Sequence, residues 1–561
     1  MDLSVRYRQR SQISRGPSGL AIALAPNLRR DRVSFRGQLT DPLSFREAIG
    51  ALHDIVISDL RFQPRDRSAY EAYQVAERER ENQLRRRTYQ SRLGELRDHQ
   101  IEPMPDGLET EFQSMRKKYW RTRMKYSAHL LLHDREMWRH LMPCDPVVTV
   151  APDVLLFECF SADESSYGCL SVDREAFQSE SDVAIGTTNV DYSWQLYEHF
   201  QTLRSYRQTS FVIDPQGFSA TTESAGGHYE EKIDLPDGWL RGFMQLQSAM
   251  SLPMRRVEIG REALYNVLAY LRRHRAKRSP RAIRIECHRG QVARLVLEPW
   301  EKAIQLPPQS ENFTQSLSVR LWGRDRLHVL SRLLPITDSA ELYVSGSGLP
   351  SFWVIRMGAM RLTLALSGWT TNDWTKSSAL SQLAAPVDLS DAMLTHIAAA
   401  FKDSPSQTFE RLCQTIPTRP VEIAAGLNRL ALLGQVIHDL PAKTYRWRQV
   451  MPAPLTFEQL GGDDPETDAA KRLVAQNRIK ISRDQTTDSG LRIMEGTIEG
   501  REVGAVIDGD GRITRGNCTC PHHFKNALRQ GPCRHLQALR GSLLNESAVD
   551  SVESWYQRFW S

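Results

Sequence analysis

Four residues near the C-terminus have the types and the spacing to hold a metal ion. Cys518 and Cys520 are separated by one residue, and so are Cys533 and His535. Three thiolates and one imidazole suit a tetrahedral zinc ion at roughly 2.0–2.3 Å. Four protein ligands close the coordination shell and leave no position for a water nucleophile, so the expected metal is a single Zn2+ in a structural role rather than a hydrolytic one. In an extended backbone, residues two apart point to the same side, so the sulfurs of Cys518 and Cys520 can approach one ion. A Cys518–Cys520 disulfide would instead require an oxidising compartment, for which nothing in the sequence speaks. His522 and His523 stand close enough to compete for the fourth place. The short reach from Cys520 would strain that chelate, and they read as solvated loop histidines.

The segments around these ligands predict how they are positioned. Residues 491–498 alternate partly, Glu499-Gly500 makes a turn, residues 503–507 return, and Asp508-Gly509-Asp510-Gly511 turns again. Residues 512–515 then lead into the first ligand pair, so a small antiparallel sheet delivers the two cysteines, and Pro521 ends the strand. The second pair follows Gly531-Pro532 and opens a helix whose Leu536, Leu539 and Leu543 form one apolar stripe. In so small a unit the metal replaces part of a missing core, and its removal is expected to unfold it.

This order, and the stretch CTCPHH…GPCRHLQAL in particular, resembles the SWIM zinc-finger family over about residues 480–545. The resemblance implies a module that binds DNA or other proteins. It also implies company with helicases or AAA-type ATPases, as in bacterial members. The chain itself has no Gly-x-x-x-x-Gly-Lys-Ser/Thr phosphate loop, and so resembles the members that are not ATPases.

At 561 residues the chain exceeds a single core, and its 40% apolar and 25% charged residues are those of an ordinary globular protein. No stretch approaches 18 consecutive apolar residues, which argues against a membrane span. The apolar run at 20–25 follows Arg6, Arg8, Arg10 and Arg15 without a convincing signal-peptide core, so the expected location is cytoplasmic. Five of the eight cysteines are scattered, as reduced buried thiols are, while the other three cluster at the metal motif.

Net charge is only +6, but the cations are unevenly placed. Residues 1–37 hold eight arginines against two aspartates. Residues 116–125 hold six basic residues, among them Arg116, Lys117 and Lys118, with Tyr119 and Trp120 between them. A third cluster comprises Arg272, Arg273, His274, Arg275, Lys277, Arg278 and Arg281. Each is either a solvated face or a surface that attracts phosphate.

The expected architecture is a multi-domain α+β chain. Residues 1–145 read as a basic, mainly helical region, with dense opposite-charge pairs along 68–99. Residues 146–375 read as a mixed α/β body of one or two units. Its predicted strands lie at 147–150, 154–157, 211–213, 283–287, 293–297, 341–345, 352–357 and 360–366, and its helix at 262–275. A Ser/Ala-rich linker at 375–386 leads to a module at 386–450. There, helices at 391–401, 408–416 and 420–433 precede a hairpin of 436–438 with 444–448, an order that resembles a winged helix-turn-helix. Pro420 suits a first helical turn and Gly434 a helix end. The zinc-finger domain occupies 471–545, and an aromatic tail, 546–561, follows.

Were the winged helix to bind DNA, its third helix would enter the major groove, with Thr418, Arg419, Glu422, Asn428 and Arg429 near the duplex. Lys443, Arg446 and Arg448 of the hairpin would reach phosphate. Glu422 is poorly placed for that, and winged helices also serve as plain protein contacts. No catalytic signature accompanies these features: there is neither a His-Glu-x-x-His helix nor a Gly-x-Ser-x-Gly elbow. Gly346-Ser347-Gly348 reads as a loop, and His133, Asp134 and His140 as helix-surface or core residues. The expected function is therefore a non-catalytic adaptor that binds nucleic acid. The alternative is a protein-interaction scaffold within a larger assembly, and a third class, an enzyme in residues 146–375, stays open because the sequence does not identify that fold.

Overall fold

The computed structural model describes residues 5–7, 11–16, 19–24, 26, 32–58, 107–133, 145–192, 194–205, 208–214, 230–232, 237–250, 254–277, 280–288, 291–309, 317–344, 350–368, 390–449, 465–476, 478–487, 492–507, 513–526 and 532–545. The predicted charged helix at 68–99, the linker at 375–386, the loop at 346–348 and the tail at 546–561 lie outside them. The chain divides into two compact units, one of residues 1–58 with 143–561, the other of 59–142. The described part of the smaller unit is the helix Leu108–His133. It carries Lys117, Lys118, Arg121 and Lys125 exposed and Arg116 half-exposed, together with exposed Phe112, Met115, Tyr119 and Tyr126.

The larger unit is a mixed α/β assembly of several sheets. Its main sheet has eight antiparallel strands in the order Arg255–Glu258, Ser339–Val344, Ser351–Met357, Met360–Leu366, Ser166–Asp173, Val154–Phe160, Val147–Val150, Gly186–Asn189. The two strand series expected on either side of the body thus join in one sheet. They meet where Met360–Leu366 pairs with Ser166–Asp173, Leu362 opposite Leu170. These central strands are buried at nearly every position, on both faces, and the burial takes in polar residues such as Glu158, Ser171, Arg361 and Thr363. A smaller sheet of four antiparallel strands orders Lys302–Gln305, Arg294–Leu297, Ile283–Cys287 and Leu317–Leu321, and the helix Arg261–Arg273 packs against its edge.

The N-terminal region differs from expectation. It is helical at Pro42–Val56, capped by the Asp41 carboxylate, which accepts from the backbone N–H of Leu43 and Ser44. Ahead of that helix, however, come four strands, Val5–Tyr7, Gln12–Gly16, Gly19–Leu24 and Ser34–Leu39. Three of them join Thr209–Ile213 and Phe177–Ala184 in a five-stranded sheet. The apolar run near residue 20 is a strand parallel to Thr209–Ile213, Ile22 opposite Phe211. Ile22, Phe35, Phe45 and Phe211 are all buried in the principal core. Burial against residues far along the chain outweighs the local arginine-rich composition.

Residues 390–449 contain the three expected helices, Asp391–Asp403, Phe409–Thr415 and Pro420–Leu432. A three-stranded sheet accompanies them, ordered Ser406–Thr408, Thr444–Trp447, Val436–Asp439. The short first strand falls between the first two helices and escapes the periodicity reading. Ser390 and Thr408 cap their helices through side-chain oxygens. Gly434, at φ +73°, ends the third helix as expected. This module has its own core around Ile397, Leu412, Ile423 and Leu427, yet Ile437 and Leu440 of its hairpin belong to the principal core.

The C-terminal unit is a four-stranded antiparallel meander, Ile479–Thr486, Arg492–Ile498, Arg501–Ile507 and Ile513–Cys518. The helix Arg534–Asn545 lies on one face of it. Met494, Ile498, Val503, Ala505, Leu536 and Leu539 form its small core. The helix Pro465–Ala475 adds Ala470, Leu473 and Val474, so the unit begins ahead of the expected residue 471.

Candidate metal centre

Cys518 ends the last strand of the meander, where it pairs with Val503 and faces the core. Cys520 follows two residues on, and Pro521 opens the short helix Pro521–Asn526. Cys533 stands immediately before the helix Arg534–Asn545, and its carbonyl accepts from the backbone N–H of Gln537. His535 lies in that helix's first turn. The apolar residues Leu536 and Leu539 press the helix onto the sheet, and this packing carries the second ligand pair to the first. The ligand atoms of Cys518, Cys520, Cys533 and His535 all lie within 4.8 Å of one another, and all four residues are buried.

The donor atoms are individually oriented. His535 Nδ1 is 3.6 Å from Cys518 Sγ, while Nε2 lies 3.3 Å from Glu499 Oε2. The imidazole is thus held at its far nitrogen by a carboxylate, which leaves Nδ1 to face the thiols. Burial lowers the His535 pKa below its ordinary value, which favours the neutral ring a metal requires. Cys520 Sγ accepts from the backbone N–H of His523 at 3.3 Å. Burial raises Cys518, and pushes Cys533 up to about 12, so without a cation these groups are thiols. A metal ion that binds here must displace their protons. Three sulfurs and one nitrogen, buried and converging, fit a single four-coordinate ion.

Two supporting residues escape the sequence reading. Glu499 sits at φ +52° in the two-residue turn with Gly500, a position that reads as turn chemistry alone. Glu466 accepts from the backbone N–H of Arg534 at 2.8 Å and pairs with its guanidinium, which fixes the start of the ligand helix. Only its placement beside that helix could reveal it. His522 and His523 lie on the short helix, half-buried, and are not in the ligand cluster.

The residues expected at a nucleic-acid surface differ in exposure. Lys443 is exposed at the hairpin tip, with φ +51°. Arg429 is exposed, while Asn428 is buried. Arg419 is exposed but pairs with Glu422 at 2.7 Å, and that guanidinium, aided by the Thr418 hydroxyl, lowers the Glu422 pKa to about 2. Arg116, Lys117 and Lys118 belong to the other unit.

Arg446 and Arg448 correct the expectation of phosphate contacts from the hairpin. Arg446 is 1% exposed, with Nη2 3.0 Å from Asp439 Oδ2 and a further pair to Asp153. Arg448 is fully buried, with Nε 2.9 Å from Glu158 Oε2 and its guanidinium 4.6 Å from the centre of the Phe243 ring. The third helix of the module is likewise enclosed. Eight of its thirteen residues are buried, because the helices Asp391–Asp403 of the module and Asp237–Met250 of the body both pack against it. The His438 ring joins the same contact, with Nδ1 2.7 Å from the Met250 carbonyl. These groups satisfy the body, and among the positions this helix leaves open Arg429 is exposed.

No family model matches the chain, and no curated protein matches it either. Among solved structures, the proliferating cellular nuclear antigen of Entamoeba histolytica is similar over 40% of this chain and 89% of its own, at 10% identity and a TM-score of 0.27. A. fulgidus PCNA bound to the C-terminal region of FEN-1 is similar over 41% and 91%, at 10% identity and 0.26. The PCNA2–PCNA3 complex of Sulfolobus tokodaii gives 40% and 90%, at 10% identity and 0.27. Likenesses this slight assign neither fold nor function. No helix among the described residues is long and apolar enough to cross a membrane.

Proposed function

We propose that this chain is a non-catalytic zinc-binding protein, in which Cys518, Cys520, Cys533 and His535 hold one structural Zn2+ in a SWIM-like finger, and that it acts as a nucleic-acid-binding adaptor. The observation that carries the zinc assignment is the convergence of four buried ligand atoms within 4.8 Å. Held by these residues, a zinc ion would supply cross-linking energy to a unit whose own apolar core is small. The chain's residues do the rest: Glu499 orients His535, and the Glu466–Arg534 pair holds the start of the ligand helix. The adaptor reading rests on exposed cations outside the finger, and cytoplasmic residence accords with the free thiols of the motif.

Metal analysis of the purified protein, followed by DNA binding across a salt series, tests both parts. One zinc per chain, with affinity that falls steeply between about 50 and 200 mM salt, is the expected result. Absence of stoichiometric zinc overturns the finger, and absence of binding at low salt overturns the nucleic-acid part.

The second reading is a protein-interaction scaffold, beside an AAA-type ATPase in the manner the SWIM resemblance implies. The way residues 390–449 are already used as a protein-contact module, through Arg446, Arg448 and the enclosed third helix, favours it. Binding that is insensitive to salt would mark that case.

A further inference from the structure

A cationic surface lies at the C-terminal end of the helix Arg261–Arg273. Arg272, Arg273, Arg275 and Lys277 are exposed there, and none forms an ion pair or side-chain hydrogen bond among the described residues. The neighbouring sheet treats its arginines differently. Arg284 and Arg294 pair with Glu286 at 2.6 Å, and Arg320 pairs with Glu298 at 3.0 Å. Helix-end electrostatics accounts for Arg272 and Arg273, which sit in the last turn. It does not account for Arg275 and Lys277, since the dipole's effect fades beyond that turn.

Aromatic rings adjoin these cations. His274 is exposed and stacks on Tyr270, with centroids 4.0 Å apart and planes 15° from parallel. Its Nδ1 lies 3.0 Å from the Tyr270 carbonyl, which holds the ring at the helix end. Trp300 meets Tyr270 edge-on at 5.4 Å and is itself covered by the Arg324 guanidinium at 4.8 Å. Lys302, two residues further on, is also exposed. A nucleobase stacked on His274 would extend the Tyr270–His274 column, while the unpaired cations follow the phosphates. Cations beside stacking rings are the arrangement that single strands use, because their bases are open.

We infer that this helix end binds single-stranded nucleic acid through Arg272, Arg273, Arg275 and Lys277, with His274 as a stacking platform. The inference rests on the nucleic-acid reading of the chain and gives it a place on the body.

The test uses full-length, zinc-loaded protein and fluorescence anisotropy with an oligo-dT of about 20 nucleotides and a duplex of the same length, longer than the roughly 4–16 nucleotides of small single-strand sites. The fourfold variant Arg272→Gln, Arg273→Gln, Arg275→Gln, Lys277→Gln alters exposed side chains only. It should lose at least about tenfold in affinity for oligo-dT, and the slope of log K against log salt should fall by about 2.8, which is 0.7 for each of four phosphates. His274→Ala should weaken oligo-dT more than duplex. Wild-type binding that the fourfold variant retains, with an unchanged slope, overturns this site and leaves the nucleic-acid reading intact. Preference for duplex overturns the single-strand assignment. No wild-type binding at about 50 mM salt overturns both the site and the reading.

Discussion

Arg448 and Glu158 lie 290 residues apart in sequence and meet with both side chains fully buried, Arg448 Nε 2.9 Å from Glu158 Oε2. Tyr167 donates its hydroxyl to the same carboxylate at 2.6 Å, and the Phe243 ring stacks against the guanidinium. The pair ties the hairpin of residues 390–449 into the body. It explains why an arginine that reads as a phosphate contact is absent from the surface.

Removal of one partner from this pair strands the other charge in a medium that cannot solvate it. Arg448→Met should therefore lower the unfolding free energy by roughly 3–5 kcal/mol in urea titration, whereas Arg448→Met with Glu158→Leu should recover a large part of it. A single variant within about 0.5 kcal/mol of wild type would show that the charges are solvated after all.

The ligand assignment makes a contrast between two variants. Cys533→Ser should cost the C-terminal unit its zinc and its cooperative unfolding, read by elemental analysis and by thermal melts. Replacement of His522 and His523 together by alanine should leave one zinc per chain, since neither lies in the cluster. Metal loss in that double variant would move the fourth ligand to the short helix.

Glu499 acts on the metal through His535. Glu499→Gln should weaken zinc affinity by about 10–100-fold in competition with a chelator, with stoichiometry unchanged at saturating metal. Wild-type affinity in the variant would reduce the contact to surface electrostatics.

His53 gives the fold a pH dependence. It is buried, its ring stacked on Tyr197 at 3.7 Å and its Nδ1 3.1 Å from the Tyr192 hydroxyl. Burial, aided by Arg332, lowers its pKa from 6.5 to about 3. Between these values the unfolded chain binds the proton and the folded chain does not, so stability rises with pH there. The contribution is complete above about 6.5 and is lost as pH falls toward about 3, by at most roughly 5 kcal/mol. His53→Gln lacks this titration and should be less stable than wild type at about pH 7.5, with the gap narrower at about pH 5. A gap that stays constant across that range would place the titration elsewhere.

The metal ligands were legible because the information is local. Donor types, one-residue spacings, the proline after Cys520 and the apolar stripe of the following helix all lie within a few turns of chain. The hairpin of Ser351–Met357 with Met360–Leu366 and the helix punctuated by Pro420 and Gly434 were legible for the same reason. Those features follow from backbone preference and short-range periodicity, and each needs nothing beyond its own neighbourhood.

Tertiary structure alone decided the rest. Glu499 and Glu466 become supports of the metal site only when the turn and the preceding helix are folded against Arg534–Asn545. The residues near Ile22 become a strand because Thr209–Ile213 offers them a parallel partner. Arg446 and Arg448 alternate in a hairpin with Tyr445 and Trp447, as surface cations would, yet carboxylates at 153, 158 and 439 make their burial tolerable. The desolvation of a charge depends on which oppositely charged group stands beside it in space. Composition records that such groups exist, and only the folded chain determines where they meet.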